Sequence, residues 1–170
     1  CIPGKYINSS GENLACKDCL ANTFAWDLNS TFCSPCRNGT FSRVSSAVCS
    51  ACPSGRRANA SGVGKGCVDC SPGFYQANDG STFCNSVKPG YERLSATAQS
   101  ACPAGRFGLG GSITCEDCPA GFFQPQATGA DACRRCNAGF FQREHGGASC
   151  LPCIPGKYIN SSGENLACKD

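Results

Sequence analysis

Cysteine recurs at short, nearly fixed intervals along the whole chain, and that recurrence limits what the chain can fold into. Units open at Cys1, Cys19, Cys36, Cys52, Cys70, Val87, Cys102, Cys118 and Cys136, spaced 15 to 18 residues apart, and a tenth opens at Cys153. Each closes 12 to 15 residues later, at Cys16, Cys33, Cys49, Cys67, Cys84, Gln99, Cys115, Cys133, Cys150 and Cys168. The next unit begins three residues on, which produces a C-x-x-C rhythm. A period this short cannot enclose a core of its own, so each unit must lean on its neighbours.

Composition agrees. Of 170 residues, 18 are Cys, while Ile, Leu, Val and Phe together number 27, below the fifth at which a conventional core becomes difficult. The net charge of +3 is too small for a charge-expanded chain. What remains is a small disulfide-rich fold, mostly β or irregular, in which covalent links replace apolar burial. No apolar run approaches the roughly 18–20 residues that cross a bilayer, so no membrane span is expected in this window. Lys and Arg are scattered, adjacent only at Arg56-Arg57 and Arg134-Arg135, which argues against a nucleic-acid footprint. The chain opens on Cys1 rather than Met and reads as a window cut from something longer.

Three residues into each unit lies Gly4, Asn22, Gly39, Gly55, Gly73, Gly90, Gly105, Gly121, Gly139 or Gly156. Asn is the side chain that tolerates positive φ best after Gly. Pro3-Gly4, Pro72-Gly73, Pro89-Gly90 and Pro155-Gly156 fit the centre of a type II turn, whereas Pro53, Pro103 and Pro119 predict a type I turn followed by Gly. An aromatic follows two residues later in eight of ten units: Tyr6, Phe24, Phe41, Tyr75, Phe107, Phe123, Phe141 and Tyr158. Arg57 and Glu92 are the exceptions, with Tyr91 one residue out of step. Each unit therefore predicts a turn, a short aromatic strand, a polar tip and a return strand, with Phe32, Val48 and Phe83 as return-strand contacts. Such hairpins are too short to be stable alone, so they are expected to share one aromatic row in an elongated stack.

The sixth unit decides the cysteine pairing. Val87 and Gln99 replace its opening and closing Cys together. Pairing within units removes one whole disulfide and orphans nothing, whereas pairing across each C-x-x-C would strand Cys84 and Cys102. The expected bonds are Cys1–Cys16, Cys19–Cys33, Cys36–Cys49, Cys52–Cys67, Cys70–Cys84, Cys102–Cys115, Cys118–Cys133, Cys136–Cys150 and Cys153–Cys168. An interleaved pattern, as in tumour-necrosis-factor-receptor modules, explains unit six less simply. Cys16-x-x-Cys19 followed by Cys33-x-x-Cys36 also has zinc-ribbon spacing, but the rhythm runs on without His partners. Redox chemistry of the thioredoxin kind lacks its βαβ surroundings. Structural disulfides place the chain in an oxidising compartment.

Sequons stand at Asn8, Asn29, Asn38, Asn59 and Asn160, with units one to four carrying one each and units five to nine none. N-linked glycans are therefore expected on one stretch, leaving the other bare. Catalysis finds no foothold: His145 is the sole His, in a Gly-rich tip, with neither nucleophile nor orienting carboxylate. No cofactor or metal site is expected.

Residues 153–170 repeat residues 1–18 without a change. Other units diverge widely, so an offset of 152 residues marks a second, longer period. Residues 1–152 form one super-repeat of nine units, and 153–170 begin the next. Cys1-Ile2-Pro3-Gly4-Lys5-Tyr6, Cys70-Ser71-Pro72-Gly73-Phe74-Tyr75 and Cys118-Pro119-Ala120-Gly121-Phe122-Phe123 carry a resemblance to the ephrin-receptor-like cysteine-rich repeat. That resemblance implies an extracellular rod of small disulfide-linked modules, at a cell or flagellar surface. Long arrays with an exact super-period are similar to mastigoneme-type filament glycoproteins, whose partners would be copies of the chain or other fibre proteins. The alternative is a receptor or adhesin stalk that binds a protein ligand. Unit six departs from the pattern and is expected to be a bend.

Overall fold

The structure is a computed structural model that describes residues 1–7, 15–59, 66–125, 129–159 and 166–170. Among these residues there is no helix; eighteen short strands pair into nine two-stranded hairpins. Units one, four and six have three-residue strands: Lys5–Ile7 with Cys16–Asp18, Arg56–Ala58 with Cys67–Asp69, and Tyr91–Arg93 with Gln99–Ala101. The other hairpins have two-residue strands, as in Thr23–Phe24 with Ser34–Pro35 and Phe122–Phe123 with Arg134–Arg135. The tenth unit is reduced to one antiparallel bridge, Tyr158 to Lys169. The chain divides into two compact bodies, Cys1–Ser71 with Tyr75–Asn85 and Pro72–Phe74 with Ser86–Asp170.

Each hairpin starts from the same turn. The amide of the residue after the turn glycine donates to the carbonyl three residues back, as in Lys5 to Ile2 at 3.2 Å and Arg106 to Pro103 at 3.1 Å. The third turn residue is then left-handed, with φ +87° at Gly4, +81° at Gly105 and +65° at Asn22. This corrects the expectation for Pro53, Pro103 and Pro119. Arg56 donates to Pro53, Arg106 to Pro103 and Phe122 to Pro119, so each proline is the first turn residue and its glycine the third. That is the type II placement of Gly, shared with the other units.

Nine disulfides close nine units: Cys1–Cys16, Cys19–Cys33, Cys36–Cys49, Cys52–Cys67 and Cys70–Cys84 in the first body, and Cys102–Cys115, Cys118–Cys133, Cys136–Cys150 and Cys153–Cys168 in the second. No Cys is free. The Cα atoms of each pair lie 5.5–5.8 Å apart, the ordinary span of such a link.

The buried residues are not the aromatic row. Cys19, Cys52, Cys102 and Cys118 are wholly buried, and the residue after the aromatic position is nearly so: Ala25, Ser42, Ala58, Gln76 and Gln124. The aromatics themselves stay half-buried, and Tyr158 is exposed. Successive strand residues face opposite ways, so the aromatic and the residue after it lie on opposite faces of the hairpin, and the second face is the buried one. Phe32, Val48 and Phe83 do not make return-strand contacts; they are 67%, 64% and 60% exposed. Each precedes the strand, on the tip side of its closing Cys.

Candidate functional site

The chemistry of this molecule is concentrated where one unit meets the next, and that seam is built almost wholly from backbone. In the first body Cys19 donates its amide to the Gly4 carbonyl, Cys36 to Asn22, Cys52 to Gly39 and Cys70 to Gly55, at 2.9–3.0 Å. In the second, Val87 donates to Gly73, Cys102 to Gly90, Cys118 to Gly105, Cys136 to Gly121 and Cys153 to Gly139, at 2.8–3.0 Å. The turn glycine uses its own amide in the forward direction. Gly4 donates to Ala25, Gly55 to Gln76, Gly105 to Gln124 and Gly121 to Gln142, at 2.7–2.8 Å. These acceptors belong to the residue after the aromatic, which explains why that position is buried. A third bond runs from the tip of one unit to the opening residue before it, as in Ser45 to Cys19, Gly80 to Cys52 and Gly146 to Cys118. Bonds between backbone groups require no particular side chain, so sequences can diverge while the stack persists.

The seam also reaches the second unit along. A Cβ on Gly4 would fall on the Ser45 carbonyl, on Gly39 against Gly80, on Gly73 against Gly111 and on Gly105 against Gly146. Gly at this position thus satisfies two demands, the left-handed φ and the close approach of a tip two units on. Where that tip residue is Ser45, itself at φ +60°, its hydroxyl donates to Asp18 Oδ1 at 2.6 Å. This hydrogen bond, followed by Lys5, holds the Asp18 carboxyl below its ordinary value of 3.8.

Unit six shows what the seam can do unaided. Val87, in the opening-Cys position, is 1% exposed. Gln99, in the closing position, accepts the Lys88 amide on its Oε1 at 2.9 Å, so a hydrogen bond spans the place of the disulfide. Glu92 Oε2 accepts the Cys115 amide from unit seven at 2.9 Å, and Arg93 Nε donates to the Phe74 carbonyl of unit five at 2.8 Å. Glu92, which breaks the aromatic pattern of this unit, and Arg93 after it are therefore its ties to both neighbours. Its hairpin has the longer three-residue strands rather than a broken one.

Two features escaped sequence reasoning. The first is a glutamine after the aromatic, buried at Gln76 and Gln124 and half-buried at Gln142. Gln76 donates to the Phe83 carbonyl and to Ser81, Gln124 to Ala132 and Gln142 to Ser149, each tying a tip to its own hairpin. The recurring aromatic-Gln pair at 75–76, 123–124 and 141–142 was the available signal. The second is a period of three units. Ion pairs join the two arms of units one, four, seven and ten: Lys5–Asp18 at 3.0 Å, Arg56–Asp69 at 2.6 Å, Arg106–Asp117 at 2.6 Å and Lys157–Asp170 at 2.7 Å. Unit eight fills the same register with the Arg135 guanidinium over the Phe122 ring. The matching segments Ser30-Thr31-Phe32-Cys33 and Ser81-Thr82-Phe83-Cys84, three units apart, already carried this signal.

Of the glycan acceptors, Asn29 and Asn38 are exposed and Asn59 is half-buried, while Asn8 and Asn160 lie outside the described residues. Trp26 is 70% exposed. His145 is exposed in its tip. Among the described residues no helix is long and apolar enough to cross a membrane.

No family model matches the chain. It is similar to the Sushi, von Willebrand factor type A, EGF and pentraxin domain-containing protein 1 of Rattus norvegicus and of Mus musculus, with 30% identity to each over 138 residues. The match covers 75% of this chain and about 3% of either relative, so the similarity concerns one short stretch of a far larger multidomain protein. With nine disulfides in tandem hairpins, it supports an extracellular cysteine-rich repeat with a structural or adhesion role.

Proposed function

We propose that residues 1–152 are one period of an extracellular structural glycoprotein whose disulfide-closed hairpins form the body of a surface filament of the flagellar-hair type. The observation that carries the reading is the opening-residue amide bonded to the preceding turn carbonyl, repeated at each described seam in both bodies. A bond with no preferred register end to end lets units be added without limit. The identity of residues 153–170 with 1–18 adds a longer axial period of 152 residues. Catalysis has no part in this reading. N-linked glycans on Asn8, Asn29, Asn38, Asn59 and Asn160 would keep the lateral faces of units one to four and ten apart, leaving units five to nine for contact with other chains.

A stalk in a receptor or adhesin is the second reading, favoured by the match to a small fraction of a multidomain relative. Electron microscopy of the native material separates them. The filament predicts long polymer whose axial repeat corresponds to one 152-residue period. A monodisperse particle with no axial repeat overturns it in favour of the stalk.

A further inference from the structure

The tip of unit two carries Trp26, Leu28 and Phe32 at 70%, 70% and 67% exposure. With Asn29, Ser30 and Thr31 they line a shallow groove of about 260 Å³. Three large apolar side chains on one small loop are a costly surface unless something covers them.

Unit five supplies an internal control within the same body. Both tips end in Ser-Thr-Phe-Cys, and both lie in disulfide loops of sequence separation 14. Both set a left-handed residue at the same place, Asn29 at φ +59° and Gly80 at φ +72°. That residue donates its amide to the opening Cys of the preceding unit in both, Asn29 to Cys1 and Gly80 to Cys52. They differ at the sequon. Where unit two has Trp26, Leu28 and Asn29, unit five has Ala77, Asp79 and Gly80. Trp and Leu are thus present on the tip that has a glycan acceptor and absent from the matching tip that has none.

We propose that an N-linked glycan on Asn29 covers this groove, its first N-acetylglucosamine lying with its C–H face on the Trp26 indole and against Leu28. The electron-rich face of an indole attracts such polarised C–H groups, and Trp offers the largest apolar surface of any side chain. The attachment is ordinary transfer from a lipid-pyrophosphate oligosaccharide. Nδ2 loses a proton and bonds the anomeric carbon, and that carbon's bond to the pyrophosphate breaks with the electron pair leaving on the lipid carrier. The proposal rests on the extracellular glycoprotein reading and adds a specific role for one sugar.

Trp26 is the single Trp of the chain, so its fluorescence reports on this tip alone. The chain is secreted from a eukaryotic host, and occupancy is read by glycopeptide mass spectrometry. Trimming to one N-acetylglucosamine should leave emission and acrylamide quenching unchanged. Complete removal with a peptide N-glycosidase should red-shift the emission and raise quenching about twofold, as the indole returns to water. Asn29→Gln should reproduce the stripped state, and Asn38→Gln should not. Unchanged quenching after complete removal from an occupied Asn29 overturns the stacking. Asn29 unmodified while Asn38 or Asn59 carries sugar overturns the proposal but leaves the glycoprotein reading; no sugar on any acceptor overturns the glycoprotein reading.

Discussion

Units six and seven are neighbours in one body with the same turn and the same seam bonds, yet one is closed by a disulfide and the other is not. Cys102–Cys115 links the ends of unit seven, while Gln99 Oε1 and the Lys88 amide span the corresponding gap in unit six. Val87 fills the buried position that Cys102 fills next door. The seam amides do not register the change: Val87 to Gly73 is 2.9 Å and Cys102 to Gly90 is 2.8 Å. The disulfide therefore acts on the unfolded chain and on the tip, whereas the seam is held by backbone bonds and burial. Unit six replaces one covalent tie with three side-chain hydrogen bonds, from Gln99, Glu92 and Arg93.

The comparison can be broken most forcefully on the covalent side. Replacing Cys102 and Cys115 together by Ser should destabilise the second body by about 3 kcal/mol, the chain-entropy worth of closing a loop of this length. Urea unfolding with reductant absent would measure it, alongside a new protease-sensitive stretch between residues 102 and 115. The reverse change, Val87→Cys with Gln99→Cys, should be accepted and should add a tenth disulfide by mass. Val87→Cys alone should leave a thiol that reacts with a maleimide only on unfolding, since that position is buried.

Next in size are the glycines. Gly105→Ala puts a methyl group on the Gly146 carbonyl at a φ of +81° and should cost about 2 kcal/mol or more. A loss of only about 1 kcal/mol, that of the backbone strain alone, would show that the approach of the second tip contributes nothing. Smaller again is Gln99→Leu, which strands the Lys88 amide; a loss of about 1 kcal/mol in the thermal or urea midpoint is expected. The smallest effect is on pH. Asp18 is depressed by Ser45 and Lys5, so its contribution is complete above 3.8 and is lost as pH falls through the lower folded value. Asp18→Asn should flatten the acid limb of the first body's unfolding curve, and an unchanged limb would contradict the assignment.

Much of this was legible in the residues, for a physical reason in each case. A disulfide scaffold follows from too little aliphatic content, and the turn from Gly or Asn at one repeated position that needs positive φ. The hairpins follow from aromatics spaced after that turn. Buried Gln76 and exposed Phe83 were not legible, because hydropathy assigns them the opposite ways. Only the folded tip, which buries Gln76 against its own backbone and leaves the Phe83 ring exposed, reverses that order. What compensates for the disulfide missing at Val87 and Gln99 was not legible either, because it sits on Glu92 and Arg93, whose partners in units seven and five only the fold brings near. The glycan site was half legible: the sequon at Asn29 is explicit, whereas the relation of Trp26 to it needed the matching tip of unit five.

Amide hydrogen exchange on the oxidised chain tests the central claim, that backbone seams hold the stack independently of each unit's disulfide. Slow exchange at the Val87 amide, within about tenfold of Cys102 and far slower than the exposed tip amide of Leu94, is the predicted result. A Val87 amide that exchanges as fast as Leu94 while Cys102 stays protected would contradict it, and would return the role of holding units together to the disulfides.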